Sequence, residues 1–329
     1  MLRSFIAPLI SLLWFGLPAG AVCVGDNLFN ALAPEQQARL TADANAAPWA
    51  EGLVFGATKG AQQLTLIGTY HMPDDRVTGF LDTLTPALDG AKALLVEAGP
   101  EEQKTLKDAM SSDPDLTFIT SGPTLPEQLS DADWQRLIKV AEEHGLPAVV
   151  AAKMKPALLA MMLAIPTCAT PELAQGKGGV DMGLIAAAQA RGLPIRAVEP
   201  WNTVFTLFDR IAPADSLDLL RAATAEADET PAAMATMSDL YFERKPRLIF
   251  EMSRLLATRA GESPELVDRQ MQLTDTVLTA GRNHAWIPVI EAAAAEGPVV
   301  VAVGALHLSG KEGVLELLRA DGWTITRKD

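Results

Sequence analysis

Val299-Val300-Val301-Ala302-Val303 runs directly into Gly304-Ala305-Leu306-His307, and this stretch sets the architecture. An apolar run without polar alternation is what a parallel strand covered on both faces requires. Immediately upstream, Glu296-Gly297-Pro298 closes a helical pattern. A glycine there supplies the left-handed residue that ends a helix, and a proline keeps the helix from resuming. The same joint recurs at Asp89-Gly90 before Ala93–Val96, at His144-Gly145-Leu146-Pro147 before Ala148–Val150, at Arg191-Gly192-Leu193-Pro194 before Ile195–Val198, and at Asp321-Gly322 before Trp323–Thr326. Repeated helix-glycine-strand joints predict an α/β fold: a mixed, largely parallel sheet flanked by helices.

Earlier in the chain, Leu28, Leu32 and Leu40 have helical spacing within Asp26–Ala42. Gly52–Ala57 and Gln63–Ile67, joined around Lys59-Gly60, read as a hairpin whose second strand leads into Gly68-Thr69-Tyr70-His71. Between Trp201 and Ala280 only helical patterns remain, which predicts a helical insertion or lid over about 201–280. No Gly/Ser linker sets it apart, so 22–329 is expected to form a single domain.

The chain has 329 residues, 49% hydrophobic and 21% charged, a globular composition. Its net charge of −14 repels phosphate backbones, so nucleic acid is not an expected partner. Arg3, the apolar Phe5–Leu17 and the small Ala19-Gly20-Ala21 read as a signal peptide over 1–21, which predicts export to the periplasm or beyond. Cys23 would permit a lipoprotein anchor, but bulky Val22 before it suits that processing poorly. No later apolar run is long enough to span a bilayer, and the longest, Ala157–Ile165, stops at Pro166. The two cysteines, Cys23 and Cys168, are either unrelated buried thiols or one disulfide. An oxidising destination favours the disulfide.

In open parallel sheets, ligands bind beyond the carboxyl ends of the strands. The expected strand ends lead into His71, Glu97, Glu199 and His307. Any one of them has a plain structural reading, as a hydrogen-bonded histidine or a helix-capping glutamate. Two of the four histidines, however, occupy the same Gly-x-x-His frame after the best buried-strand candidates. Two imidazoles with one or two carboxylates suit a divalent Zn, Mn or Co ion, which could activate water. Arg282 could hold a carboxylate or an oxyanion, and Asn283 could bind substrate or cap the helix expected to start there. Gly176-Lys177-Gly178-Gly179 lacks phosphate-loop spacing and reads as a flexible loop before the helix carrying Asp181. There is no Gly-x-Ser-x-Gly, His-Glu-x-x-His or Cys-x-x-Cys, which disfavours serine esterases and common zinc proteases.

Leu66–His71, Leu95–Ala98, Val180-Asp181, Val198–Pro200, Arg282-Asn283 with Trp286, and Val303–Leu308 with Gly310 and Gly313 together resemble the TraB/GumN family. Its relatives include the Tiki proteases and, more remotely, the erythromycin esterases and haem-binding ChaN proteins. The resemblance implies a metal-dependent hydrolytic site acting on a peptide or small molecule. His71, Glu97 and His307 would form it, with Glu97 as either ligand or general base. Arg282 and Asn283 would contact substrate or transition state, and Glu199, Asp181 and Tyr70 are secondary candidates. Tyr70 stands where the family often has Ile. The same relatives leave open a haem or small-ligand binding protein without turnover, and a metal-free esterase whose imidazole activates water.

Overall fold

The computed structural model describes residues 23–225 and 230–329. The expected signal segment and the cleavage point near Val22 lie outside them. Strands β1 (Val54–Lys59), β2 (Gln62–Thr69), β3 (Leu94–Val96), β4 (Ile195–Ala197), β5 (Val299–Gly304) and β6 (Thr324–Arg327) form one sheet in the order β4-β3-β5-β2-β1-β6. The four strands from β4 to β2 are mutually parallel, while β1 runs antiparallel to both β2 and β6. The mixed, largely parallel α/β sheet expected from the sequence is therefore present. The β1–β2 hairpin turns at Gly60, whose φ of 62° suits a tight hairpin loop.

Alternate residues divide the core between the two faces of the sheet. On one face Leu66, Leu95, Val299, Val301 and Val303 pack with Trp286 and Ile290 of the helix Gly281–Glu296 and with Leu315 and Leu318. On the other, Ile67, Leu94, Val96, Val300 and Ala302 pack with Val77, Val180, Leu184 and Tyr241. Every residue of β5 is buried, which explains its unbroken apolar run.

Helices fill 203–280 as expected, but they are only part of the helical layer. Leu220 shares a core with Leu125, Leu137, Met154, Leu158 and Leu159, so segments before and after β4 build that layer together. One expected strand is absent. Ala148–Ala151 is a helical turn whose N-cap is Pro147, and Val149 on it is 73% exposed. Gly145 does stop the preceding helix, with φ 73°, but the chain then remains among helices. Near the N-terminus the helix is Pro34–Asn45, later than the leucine spacing suggested. Cys23 and Cys168 form the expected disulfide. Among the described residues no helix is long and apolar enough to cross a membrane.

Candidate functional site

The register of the parallel strands brings the chemistry-bearing residues to one edge. Thr69 of β2 lies opposite Gly304 of β5, Val96 of β3 opposite Ala302, and Ala197 of β4 opposite Val96. His71, His307, Glu97 and Glu199 thus leave four adjacent strands on the same side. The two Gly-x-x-His frames differ locally: Ala305–Leu308 is a helical turn, whereas Tyr70 and His71 belong to no helix or strand.

Gly304 is the floor on which they meet. A methyl group placed on it would lie 3.2 Å from His71 Nε2, 3.3 Å from Glu97 Oε1 and 3.5 Å from the His307 ring. Its own N–H donates to Glu97 Oε1 at 2.7 Å. The other oxygen of Glu97 accepts from Arg282 Nη2 at 2.6 Å. Burial alone would favour a neutral acid here. The surrounding His307, Arg282 and His71, with the Gly304 amide, instead pull Glu97 down to about 2.

Arg282 organises the interior. Its Nε and Nη2 donate to Glu199 at 2.8 and 2.6 Å, its Nη2 also to Glu97, and its Nη1 to the Leu278 carbonyl and to His307 Nε2 at 3.3 and 3.2 Å. These contacts use all the N–H groups a guanidinium possesses. Trp286 lies under its face at 4.9 Å and donates to Glu199 Oε2 at 3.0 Å. The backbone is helical through Leu273–Gly281, so Arg282 does not begin a helix. The π-helical stretch Thr274–Ala280 joins it to the helix Pro264–Leu273. The sequence suggested a helix start because it shows no mark of such continuity.

Asn283 is completely buried and neither caps a helix nor faces a substrate surface. Its Nδ2 donates to the carbonyls of Glu312 and His307 at 2.7 and 3.3 Å, which leaves its Oδ1 facing His307 Nδ1 at 2.7 Å. Since Arg282 donates to Nε2, the proton of His307 belongs on Nδ1. Burial pushes His307 down to about 4, with Arg282 and His71 adding to the effect against Glu97, so the ring is neutral around pH 7.

His71 is different. Its side chain is 55% exposed, its Nδ1 lies 3.4 Å from Asp181 Oδ2, and its Nε2 points over the Gly304 floor. Dehydration works against the imidazolium, but Asp181 and Glu97 outweigh it and raise the pKa above 6.5. The glycine-rich loop fixes this pair. Gly179 N–H donates to the His71 carbonyl at 3.0 Å and Val180 N–H to the Tyr70 carbonyl at 2.8 Å. Any β-carbon on Gly179 would collide with that Tyr70 carbonyl. The stretch expected to be a flexible loop is therefore a backbone clamp, and its adjacent glycines ahead of Val180-Asp181 were the available signal. Tyr70 does not join the cluster. Its ring stacks on Tyr241 at 5.1 Å and lines a separate cavity with Asp74, Arg76 and Ser238, where burial pushes it up to about 12.

As arranged, these residues do not fit a metal ion. His307 Nε2 and both Glu97 oxygens are engaged, and the Arg282 guanidinium occupies the place beside them. Among the described residues no group of three or more His, Cys, Asp or Glu side chains is set to hold a metal ion.

The chain is 26% identical over 262 residues to an uncharacterized protein YbaP of Escherichia coli (strain K12), covering 79% of this chain and 89% of the relative. The YbaP protein of Shigella flexneri matches with the same identity and coverage. The model of the TraB/PrgY/gumN family matches residues 53–327, nearly the whole α/β unit that carries the strand-end cluster, and the chain belongs to that family.

Proposed function

We propose that the protein is an exported hydrolase in which His71, backed by Asp181, takes a proton from water as the water attacks a substrate carbonyl. The observation that carries this reading is the exposed His71 ring, with Asp181 behind Nδ1 and Nε2 open over Gly304. A general base needs an accessible lone pair and a group that fixes its tautomer, and the Asp181–His71 pair supplies both. The Glu97–Arg282–Glu199 cluster with His307 and Asn283 holds the floor rigid beneath it. Glu97, held ionised and doubly hydrogen-bonded, is a positioning residue in this reading rather than the base. Peptide bonds are the first substrates to test, because of the Tiki resemblance, and simple esters the second.

The test is hydrolysis of fluorogenic peptides and aryl esters by the purified protein after exhaustive chelation, beside His71→Gln. Turnover should survive chelation and vanish in the variant. Turnover that appears only with added Mn, Co or Zn would restore the metal-dependent alternative, with Arg282 displaced. Unchanged turnover in His71→Gln would end the proposal. The pH profile is a second check. The neutral imidazole is the active form, so kcat/KM should fall as pH drops through the raised pKa of His71. Asp181→Asn removes the leading influence that raises this pKa while the dehydration remains, so the acidic limb should move to lower pH.

A further inference from the structure

Arg247 is the second residue of the helix Pro246–Arg259, where the helix dipole presents its positive end and a cation is disfavoured. In a chain with 41 acidic and 27 basic side chains, a partner for it should be easy to find. Among the described residues it nevertheless forms no ion pair, and its buried Nε has no hydrogen-bond partner. It stacks on Phe250 at 4.1 Å, which covers one face of the guanidinium and leaves the N–H edge unused.

That edge belongs to a cavity of about 280 Å³ shared with Ser309, Gly310 and Lys311. Ser309 is only 4% exposed, and its Oγ also lacks a partner. Two buried donors with nothing to donate to therefore line the same space, and unmet buried donors oppose folding unless an acceptor arrives. Asp43, Asp275 and Glu312 line the cavity as well. Glu312 is committed to His284 at 2.6 Å, and Asp43 faces Arg39 only at 3.8 Å on the exposed surface. A doubly charged phosphate would meet Arg247 and Ser309 but would be repelled by the acids. A molecule carrying one carboxylate and one ammonium matches both sets.

We infer that this cavity binds the zwitterion of a free amino acid or short peptide, with its carboxylate on Arg247 and Ser309 and its ammonium toward Asp43 and Asp275. The site is distinct from the His71 cluster. The two touch only through the loop Ser309–Gly313, whose Glu312 carbonyl holds Asn283.

Calorimetric titration of the purified protein with L-alanine and dialanine, beside acetate, methylammonium and inorganic phosphate, tests the assignment. The zwitterions should bind more tightly than acetate or methylammonium, and phosphate least. Arg247→Met keeps the apolar stem over Phe250 and should weaken zwitterion binding roughly tenfold or more, as expected for a lost hydrogen bond to a charged group. Asp275→Asn should weaken zwitterions but not acetate, a contrast that does not depend on Arg247→Met folding well. Both variants should keep the His71-dependent turnover. No heat with either zwitterion, phosphate binding tightest, or affinities unchanged in both variants would overturn the inference.

Discussion

Arg282 lies between Glu97 and Glu199 in a largely buried setting, with side-chain exposures of 16%, 19% and 13%. A single guanidinium thus compensates two carboxylates, and its removal leaves both without a cation. Removing one partner of a buried ion pair costs about 3–5 kcal/mol. Arg282→Ala should therefore lower unfolding free energy by roughly that amount, read from denaturant titration. Arg282→Lys should fall between, since it keeps the charge but loses the planar fork. A loss below about 1 kcal/mol for the alanine variant would mean that the carboxylates relax into water and that the cluster is not a scaffold. His71→Gln should do the opposite, staying within about 0.5 kcal/mol because the ring is half exposed, while turnover disappears. Residue types and order made His71, Glu97, Glu199 and His307 legible as one edge of the sheet. The pairing of Arg282 with both glutamates was not legible, because hydrogen bonds between side chains 83 and 185 positions apart leave no local pattern.

The elements were readable where one local rule decided them. The glycine stops, the unbroken β5 and the β1–β2 hairpin each follow from backbone preference or from two-sided burial. Reading failed where the same local signal serves two contexts. Pro147 with a short apolar run can open a strand or cap a helical turn, and packing against Leu137 and Leu158 selected the turn. The glycine-rich stretch before Asp181 failed in a second way, because a close approach of two backbones looks in sequence like freedom to move. Gly179 does not have positive φ; it is required because the Tyr70 carbonyl fills the space of a side chain. Gly179→Ala should push the start of the helix Val180–Ala190 away from the His71 loop and separate Asp181 from His71. The acidic limb of kcat/KM should then move to lower pH, as in Asp181→Asn, with turnover reduced. A variant that loses melting temperature but keeps the wild-type pH profile would make Gly179 a packing residue only.

At the scale of the molecule, the Cys23–Cys168 bridge ties the start of the described chain to the loop beyond the helix Pro156–Leu163, across a sequence separation of 145 residues. Its energetic role follows from the loop it closes. In the chain-entropy model a closed loop of this length removes about 5 kcal/mol of freedom from the unfolded chain, an upper value that native strain and residual unfolded structure reduce. The bridge lies outside the strand-end cluster, and the sheet core is built from residues that need no help from it. Cys23→Ser with Cys168→Ser should therefore fold, with unfolding free energy lower by about 2–5 kcal/mol and a lower melting temperature. Turnover at low temperature should match the wild type, since His71, Asp181 and the Arg282 cluster are held by β2, β3, β4, β5 and their own hydrogen bonds. The wild-type protein in reductant should behave as the double variant does, which separates the loss of the bridge from any effect of the serines. If the double variant were as stable as the wild type, the unfolded chain would already hold these segments together. If it lost turnover in proportion to none of its stability loss, the bridge would be acting on the site through the helical layer.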